Sequence, residues 1–291
     1  MRKMRWFQKA YLVAVFGFLY TPIAVLIAFS FNQSKSRSNF TGFTLKWYEN
    51  LFHNDMILKS LAVSLAIAFV SAIFATVLGT MAALGISGMK KRTRGAIMGI
   101  SYVPVINPEI VTGVSMMLLF VVFNSQLSGV LSAIFNTEIA LRGFGMGTLL
   151  IAHITFSVPY VIFNVSPKLR QMDVRLYEAA LDLGCNPRQA FFKVILPEIM
   201  PAVLSSFLIC LTYSIDDFII SYFTSGTVQT LPIAIYSMTK KKVSPEINAL
   251  SAIMFVVILS IIFVSNAVDS TREKRLERAA RAAERGEEVT E

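Results

Sequence analysis

Charge is scarce in this chain. Of its 291 residues only 15% are Asp, Glu, Lys or Arg, against 55% hydrophobic, where a soluble domain carries about 25% charged residues. A water-soluble body would lack the polar surface it needs, and the apolar excess also excludes a disordered chain. Cysteine is scarcer still. Cys185 and Cys210 stand far apart without a CxxC, so neither a disulfide framework nor a cysteine metal or redox site is expected. The two histidines, His53 and His153, form no HExxH and no Cys/His cluster. No G-x-x-x-x-G-K-S/T occurs, which removes the P-loop route to ATP phosphates. Nor is there a Ser/His/Asp set for nucleophilic catalysis, so the sequence offers no chemistry for an enzyme. The net charge of +9 suits the cytoplasmic loops of a membrane protein better than a nucleic-acid surface.

What the chain has instead is long apolar runs. A spanning helix needs about 20 of them in a row, and stretches poor in ionisable residues predict six spans, roughly 11–31, 61–86, 97–123, 147–166, 201–223 and 247–267. Ser125–Phe135 is too short to span and reads as a partial dip or a surface helix. Arg2, Lys3, Arg5 and Lys9 precede the first run as they would in a signal peptide. Its apolar core is longer than an h-region, however, and no A-x-A site follows, so an uncleaved anchor is expected. With both termini cytoplasmic, 19 of the 27 Lys and Arg residues fall inside and 8 outside, the bias that sets membrane orientation. Lys240–Lys242 is the local exception. The chain therefore reads as an all-α, multi-pass protein of the cell membrane. Residues 1–59 hold a stub, the first span and an outer loop; 60–268 hold the main membrane domain; 269–291 form a tail. The tail mixes signs at helical spacing (Glu277, Arg281) and reads as a solvated surface.

The inner loop at 168–200 is the most patterned. Tyr177–Leu183 predicts a helix whose apolar face is Leu176, Ala180 and Leu183. Gly184 suits its C-terminal cap, where a left-handed backbone is needed. Asn186-Pro187 starts a second helix, which Pro197 and Pro201 are expected to end before the next span. Two short helices at an angle would form a knob in the cytoplasm.

Three acids fall within predicted spans, where charge is costly and usually serves a cavity. Glu109 follows Pro104 and Asn107-Pro108, prolines that interrupt the helical ladder; such breaks persist where they line a cavity or the protein interior. It lies ~18 Å along a helix begun at Ile97, and Asp217 lies ~24 Å along one begun at Pro201. Adjacent helical residues point ~100° apart, so Asp216 and Asp217 cannot share a direction. The polar stripe Ser206, Cys210, Tyr213, Asp217, Ser221, Thr224 turns Asp217 toward a pathway, with Tyr213 one turn below. Asp216 is left to pair with a neighbouring helix or cap a local break. Carboxylates beside an aromatic suit an organic cation, through charge-assisted hydrogen bonds and a cation–π face. The plainer alternative is that the acids pair with a Lys or Arg of another subunit. For His153 a hydrogen-bonded packing role is favoured over a proton relay.

Glu178-Ala179-Ala180, three residues, Gly184, nine residues, Val194, one residue, Leu196-Pro197 resembles the EAA loop of ABC-importer permeases, departing only in Val194 for Ile. Thr44-Leu45-Lys46-Trp47-Tyr48, His153-Ile154-Thr155-Phe156, Asp173-Val174-Arg175, Ser214-Ile215-Asp216-Asp217-Phe218, Leu231-Pro232, Ile235-Tyr236-Ser237-Met238 and Val243-Ser244-Pro245-Glu246-Ile247-Asn248-Ala249 are similar to the spermidine/putrescine branch of that family, in its second membrane subunit. The resemblance covers the chain to Asp269 and leaves the tail unmatched. It implies a six-helix type I ABC importer permease (MetI-like) fold, and a loop that docks into a groove of an ATPase through Glu178, Ala179, Ala180, Gly184, Val194, Leu196 and Pro197. It also implies two ATPase copies carrying the ATP and Mg, a second homologous permease and an extracytoplasmic polyamine-binding protein. This chain itself would hold no cofactor, with membrane lipid around it and no nucleic acid. Three rivals stand beside this expectation: a permease for another solute such as an amino acid, sugar or iron chelate, a proton-coupled secondary transporter, and a non-transporting membrane scaffold, against which the three intramembrane carboxylates argue. The second would usually show internal repeats, which the sequence lacks.

Overall fold

A computed structural model describes residues 6–35, 39–135, 143–241 and 245–260, together with 263. In chain order its helices are α1 (Trp6–Ser30), α2 (Lys46–Phe52), α3 (Asp55–Ser87), α4 (Lys91–Ile106), α5 (Glu109–Phe135), α6 (Met146–Gln171), α7 (Val174–Asp182), α8 (Pro187–Ala190), α9 (Leu196–Asp216), α10 (Ile219–Thr224), α11 (Leu231–Lys241) and α12 (Glu246–Ser260). Five stretches among the described residues are long and apolar enough to cross a membrane: α1, α3, Glu109–Ser128 of α5, α6, and Pro187–Asp216. Apolar α12 stands where the sixth span is expected. The remainder of that span to 267, residue 263 excepted, lies outside the described residues, as do the tail 269–291, Arg2, Lys3, Arg5 and Lys242.

The chain divides into two compact units, Met1–Asp55 with Met238–Glu291, and Met56–Ser237. In the first, α1 is apolar all round and only Ser30 is buried, the composition of a helix that faces lipid. Beyond α1 an isolated antiparallel bridge pairs Asn32 with Phe43. Buried Trp47 on α2 donates its indole N–H to the Asn32 carbonyl at 2.6 Å, and Ser30 Oγ lies 2.7 Å from the Tyr48 hydroxyl. These bonds give polar tips a partner while the rings pack.

In the second unit small residues decide the packing. Ala68, Ser71, Ala72, Ala75 and Ala83 of α3 are buried, and a Cβ at Gly79 would lie 2.5 Å from Val161 Cβ on α6. Where lipid is as apolar as the core, close backbone approach through small residues replaces hydrophobic burial as the means of association. α6 in turn lies along α9. Val161, Val165, Ile199 and Cys210 join Ala72, Ala75 and Ala83 of α3 in one core, and Asn164 donates to the Ala202 carbonyl and to Ser206 Oγ at 3.2 and 3.0 Å.

Four sequence expectations are corrected here. In the third span the interruption expected from two prolines comes from one: Asn107 is extended (φ −68°, ψ 138°) because Pro108 disfavours helical backbone in the residue before it, whereas Pro104 lies inside α4. Ser125–Phe135 is not a separate segment but the continuation of α5. Pro197 and Pro201 do not end the second loop helix. Residues 187–216 run on as one helix through a widened turn at Phe191–Ile195, where the Leu196 N–H reaches back to the Phe191 carbonyl. That turn seats Pro197 at the start of α9, where its missing N–H leaves no gap in the ladder. Finally, the fifth span is interrupted at Asp217 (φ −66°, ψ 117°), and α10 begins anew at Ile219.

Candidate functional site

Two broken helices meet at one cavity. At the first break, Asn107 Nδ2 donates to Thr112 Oγ1 at 3.3 Å, and the Val111 and Thr112 N–H groups turn back to the Pro108 carbonyl. Glu109 thus sits in the first turn of α5, where negative charge suits the helix dipole, rather than partway along a continuous span. At the second break, Asp217 accepts from the backbone N–H of Ile220 at 3.2 Å and of Ser221 at 2.7 Å. An Asp side chain that binds nearby N–H groups offers the backbone an alternative to the helix ladder, which accounts for the interruption here. α10 packs on α5, with Phe223 close against Gly113.

Between these breaks lies a cavity of about 430 Å³, lined among others by Asn107, Glu109, Thr112, Phe156, Tyr160, Tyr213, Asp216 and Asp217. Its size falls in the range of small-molecule sites, ~300–1,000 Å³. All four pathway residues expected from the sequence, Glu109, Tyr213, Asp216 and Asp217, meet there. Tyr160 and Phe156 of α6 were missed. Their signal is a helical spacing shared with His153, at positions 153, 156 and 160. Tyr160 and Tyr213 face each other with ring centroids 4.8 Å apart. Among the described residues no Lys or Arg lines the cavity.

Both aspartates line the cavity, but Asp217 also takes the capping role expected of Asp216. Asp216 is exposed in the cavity, whereas Asp217 has a side chain only 6% exposed and caps the break. The polar stripe through Asp217 requires a continuous helix, and the helix is interrupted at Asp217. The buried polar line is accordingly Ser206, Cys210, Ser214, Ser221 and Thr224, with Ser214 where Tyr213 was expected. Tyr213 is half exposed and turns to the cavity. His153, 1% exposed, places Nδ1 2.6 Å from Ser214 Oγ and Nε2 3.0 Å from Ser221 Oγ. That arrangement agrees with hydrogen-bonded packing.

The patterned loop forms a separate element, and none of its expected docking residues lines the cavity. Asp173 caps α7 by accepting the Arg175 N–H. At the other end Gly184 has φ +87°, its N–H bonds the Leu181 carbonyl, and the Cys185 N–H bonds the Ala180 carbonyl. That pair of bonds is the Schellman closure, which requires a left-handed residue. Asn186 and Gln189 then cap α8 reciprocally, with Pro187 in its first turn. Ala180 is buried while Glu178 and Ala179 are exposed. The apolar face expected from Leu176, Ala180 and Leu183 is therefore divided: Ala180 turns inward, and Leu176, Leu183 and Phe192 stand exposed.

Residues 75–278 match the family model described as binding-protein-dependent transport system inner membrane component. The spermidine/putrescine transport system permease protein PotC of Escherichia coli K12 is 36% identical over 93% of this chain and 96% of its own. The putrescine transport system permease protein PotI of the same organism is 35% identical, covering 93% of each. Among solved structures, a bacterial ABC transporter involved in the import of the acidic polysaccharide alginate contains a chain of the same fold. It has a TM-score of 0.68 at 20% identity, over 91% of this chain and 96% of that one. This chain is therefore a multi-pass membrane transport subunit, not an enzyme, and it belongs to the binding-protein-dependent family of ABC-importer permeases.

Proposed function

We propose that the chain is one of two membrane subunits of an ATP-driven importer that carries polyamines of the spermidine and putrescine class into the cytoplasm. The observation that carries this reading is the cavity between the broken helices. Glu109, Asp216 and Asp217 bring three carboxylates to it, Tyr160 and Tyr213 bring two phenol rings, and no basic side chain among the described residues opposes them. A linear polyamine carries several ammonium groups, each able to take charge-assisted hydrogen bonds from carboxylates and to rest on an aromatic face. The alginate transporter's acidic cargo makes the contrast instructive: a shared fold leaves the sign of the cargo to the lining of the cavity. The relatives PotC and PotI, named for spermidine and putrescine transport, support the same substrate class.

The remaining parts follow from that role. Two ATPase subunits hold the ATP and Mg, a second homologous permease closes the open side of the cavity, and an extracytoplasmic binding protein delivers the polyamine. Both termini are cytoplasmic, in keeping with the distribution of Lys and Arg. Closure of the ATPase dimer moves the loop from Glu178 to Pro197, through Ala179, Ala180, Gly184, Val194 and Leu196, and the membrane helices turn the cavity outward to receive the cation. Hydrolysis returns it inward. Reconstitution of the chain with those partners in proteoliposomes tests the proposal. ATP inside and loaded binding protein outside should drive accumulation of labelled spermidine or putrescine. Uptake driven by a proton gradient without ATP, or ATP-driven uptake of an amino acid, sugar or iron chelate in place of polyamine, would overturn it.

A further inference from the structure

One buried polar group borders the second break without lining the cavity. The His153 imidazole comes from α6, and its two nitrogens reach opposite sides of the interruption in the neighbouring span. Nδ1 lies 2.6 Å from the hydroxyl of Ser214, near the end of α9. Nε2 lies 3.0 Å from the hydroxyl of Ser221 in α10 and 3.5 Å from Asp217 Oδ2. Behind Ser214, the hydroxyl of Ser71 on α3 adds a further contact at 3.1 Å. Where the backbone ladder is missing, a side chain of another helix thus holds the two ends.

The chemistry of the partners fixes the tautomer. A carboxylate close to Nε2 calls for the N–H at that nitrogen, so Nδ1 is left to accept the Ser214 hydroxyl proton. The neutral ring is then satisfied on both sides, which a buried polar group requires. Leucine would fill a similar volume and bond to nothing. Glutamine carries an amide that can reach the Ser221 side.

We infer that His153 is a positioning residue for translocation: by tying α9 to α10 it sets the shape of the break, which keeps Asp217 in its cap and Asp216 turned into the cavity. It touches no cargo. The inference rests on the proposed cation site for its transport readout, while a labelling readout is independent of what the cargo is.

The test uses the whole transporter in proteoliposomes and compares His153→Leu with His153→Gln. Two quantities are read: the KM for labelled spermidine, and the rate at which a cysteine placed by Asp216→Cys reacts with a positively charged methanethiosulfonate. The background is that of the native Cys185 and Cys210. Misplacement of a positioned group by about an ångström can cost up to a hundredfold. His153→Leu is accordingly expected to raise KM, and to slow labelling at 216, each by about tenfold. His153→Gln should stay close to the native values. A Leu variant equal to the native protein, or one equal to or better than the Gln variant, reduces His153 to filling space and overturns the inference. If neither variant assembles, Ser214→Ala with Ser221→Ala leaves the ring in place and removes both anchors. That pair should slow labelling at 216 as Leu would, and unchanged labelling overturns the inference. Should the native complex take up no spermidine, the cation reading fails by itself and labelling still decides the role of His153.

Discussion

Asp216 and Asp217 are adjacent in sequence and border one cavity, yet they differ in exposure and in partners. Asp217 gives both carboxylate oxygens to the N–H groups of Ile220 and Ser221, while Asp216 stands exposed in the cavity. The separation follows from the break itself, since one residue ends α9 and the next caps the restart. Asp216→Asn should therefore weaken transport without loosening the fold. A hydrogen bond to a charged group is worth about 1.5–3 kcal/mol, so the KM for polyamine uptake should rise by roughly ten- to a hundredfold.

Asp217→Asn should behave differently. The amide nitrogen cannot accept a backbone N–H, so one bond of the cap is lost at a cost of about 1 kcal/mol. The purified complex should show a lower thermal unfolding temperature, which Asp216→Asn should not. Equal unfolding temperatures for the two variants would contradict the division of roles.

The ring pair supplies a graded test. Tyr213→Phe keeps an aromatic face and should retain uptake, whereas Tyr213→Ala removes it. A cation–π contact contributes about 0.5–2 kcal/mol, so the alanine variant should raise KM by roughly two- to thirtyfold. Initial rates of labelled putrescine uptake at several concentrations measure this. Phe and Ala variants with the same KM would remove the aromatic face from the account.

Gly184 stands at φ +87°, where a side chain costs about 1–2 kcal/mol. Gly184→Val should leave membrane insertion intact and abolish the ATP hydrolysis that accompanies transport, because α7 and α8 could no longer meet at their present angle. ATPase assays on membranes with matched amounts of complex read the effect. Hydrolysis stimulated as in the native protein would sink the coupling assignment.

A Cβ at Gly79 would lie 2.5 Å from Val161 Cβ, so Gly79→Ala should push α3 from α6. Overpacking of this kind costs about 1–3 kcal/mol. Thermal unfolding in detergent should show the loss, and adding Val161→Ala should recover part of it. The absence of recovery would mean that the two helices do not meet at this point.

Much of this was legible from composition and spacing. Runs without charge located α1, α3 and α6, because spanning depends on length and apolarity alone. Gly184 and Asn186-Pro187 announced their caps, since these residue types satisfy local backbone geometry wherever they occur. The acids that line the cavity were legible because ionisable groups inside an apolar span are costly enough to stand out. What could not be read was the consequence of a tertiary arrangement. Pro197 looks like a terminator, yet a widened turn before it lets the helix continue. Asp217 looks like a helical residue on a stripe, yet two N–H groups beyond it draw its side chain into a cap. Tyr160 carries no charge to distinguish it, and only the approach of α6 to α9 gives it a place beside Tyr213.

Reception of the cation by carboxylates in this cavity is the central requirement of the proposed transport. The most direct measurement is ATP-driven uptake of labelled spermidine by the reconstituted complex carrying Glu109→Gln with Asp216→Asn, with ATP hydrolysis stimulated by the loaded binding protein measured in parallel. Uptake at low substrate should fall by at least about tenfold while stimulated hydrolysis persists. Uptake equal to that of the native complex, with both carboxylates gone, would contradict this role for the carboxylates.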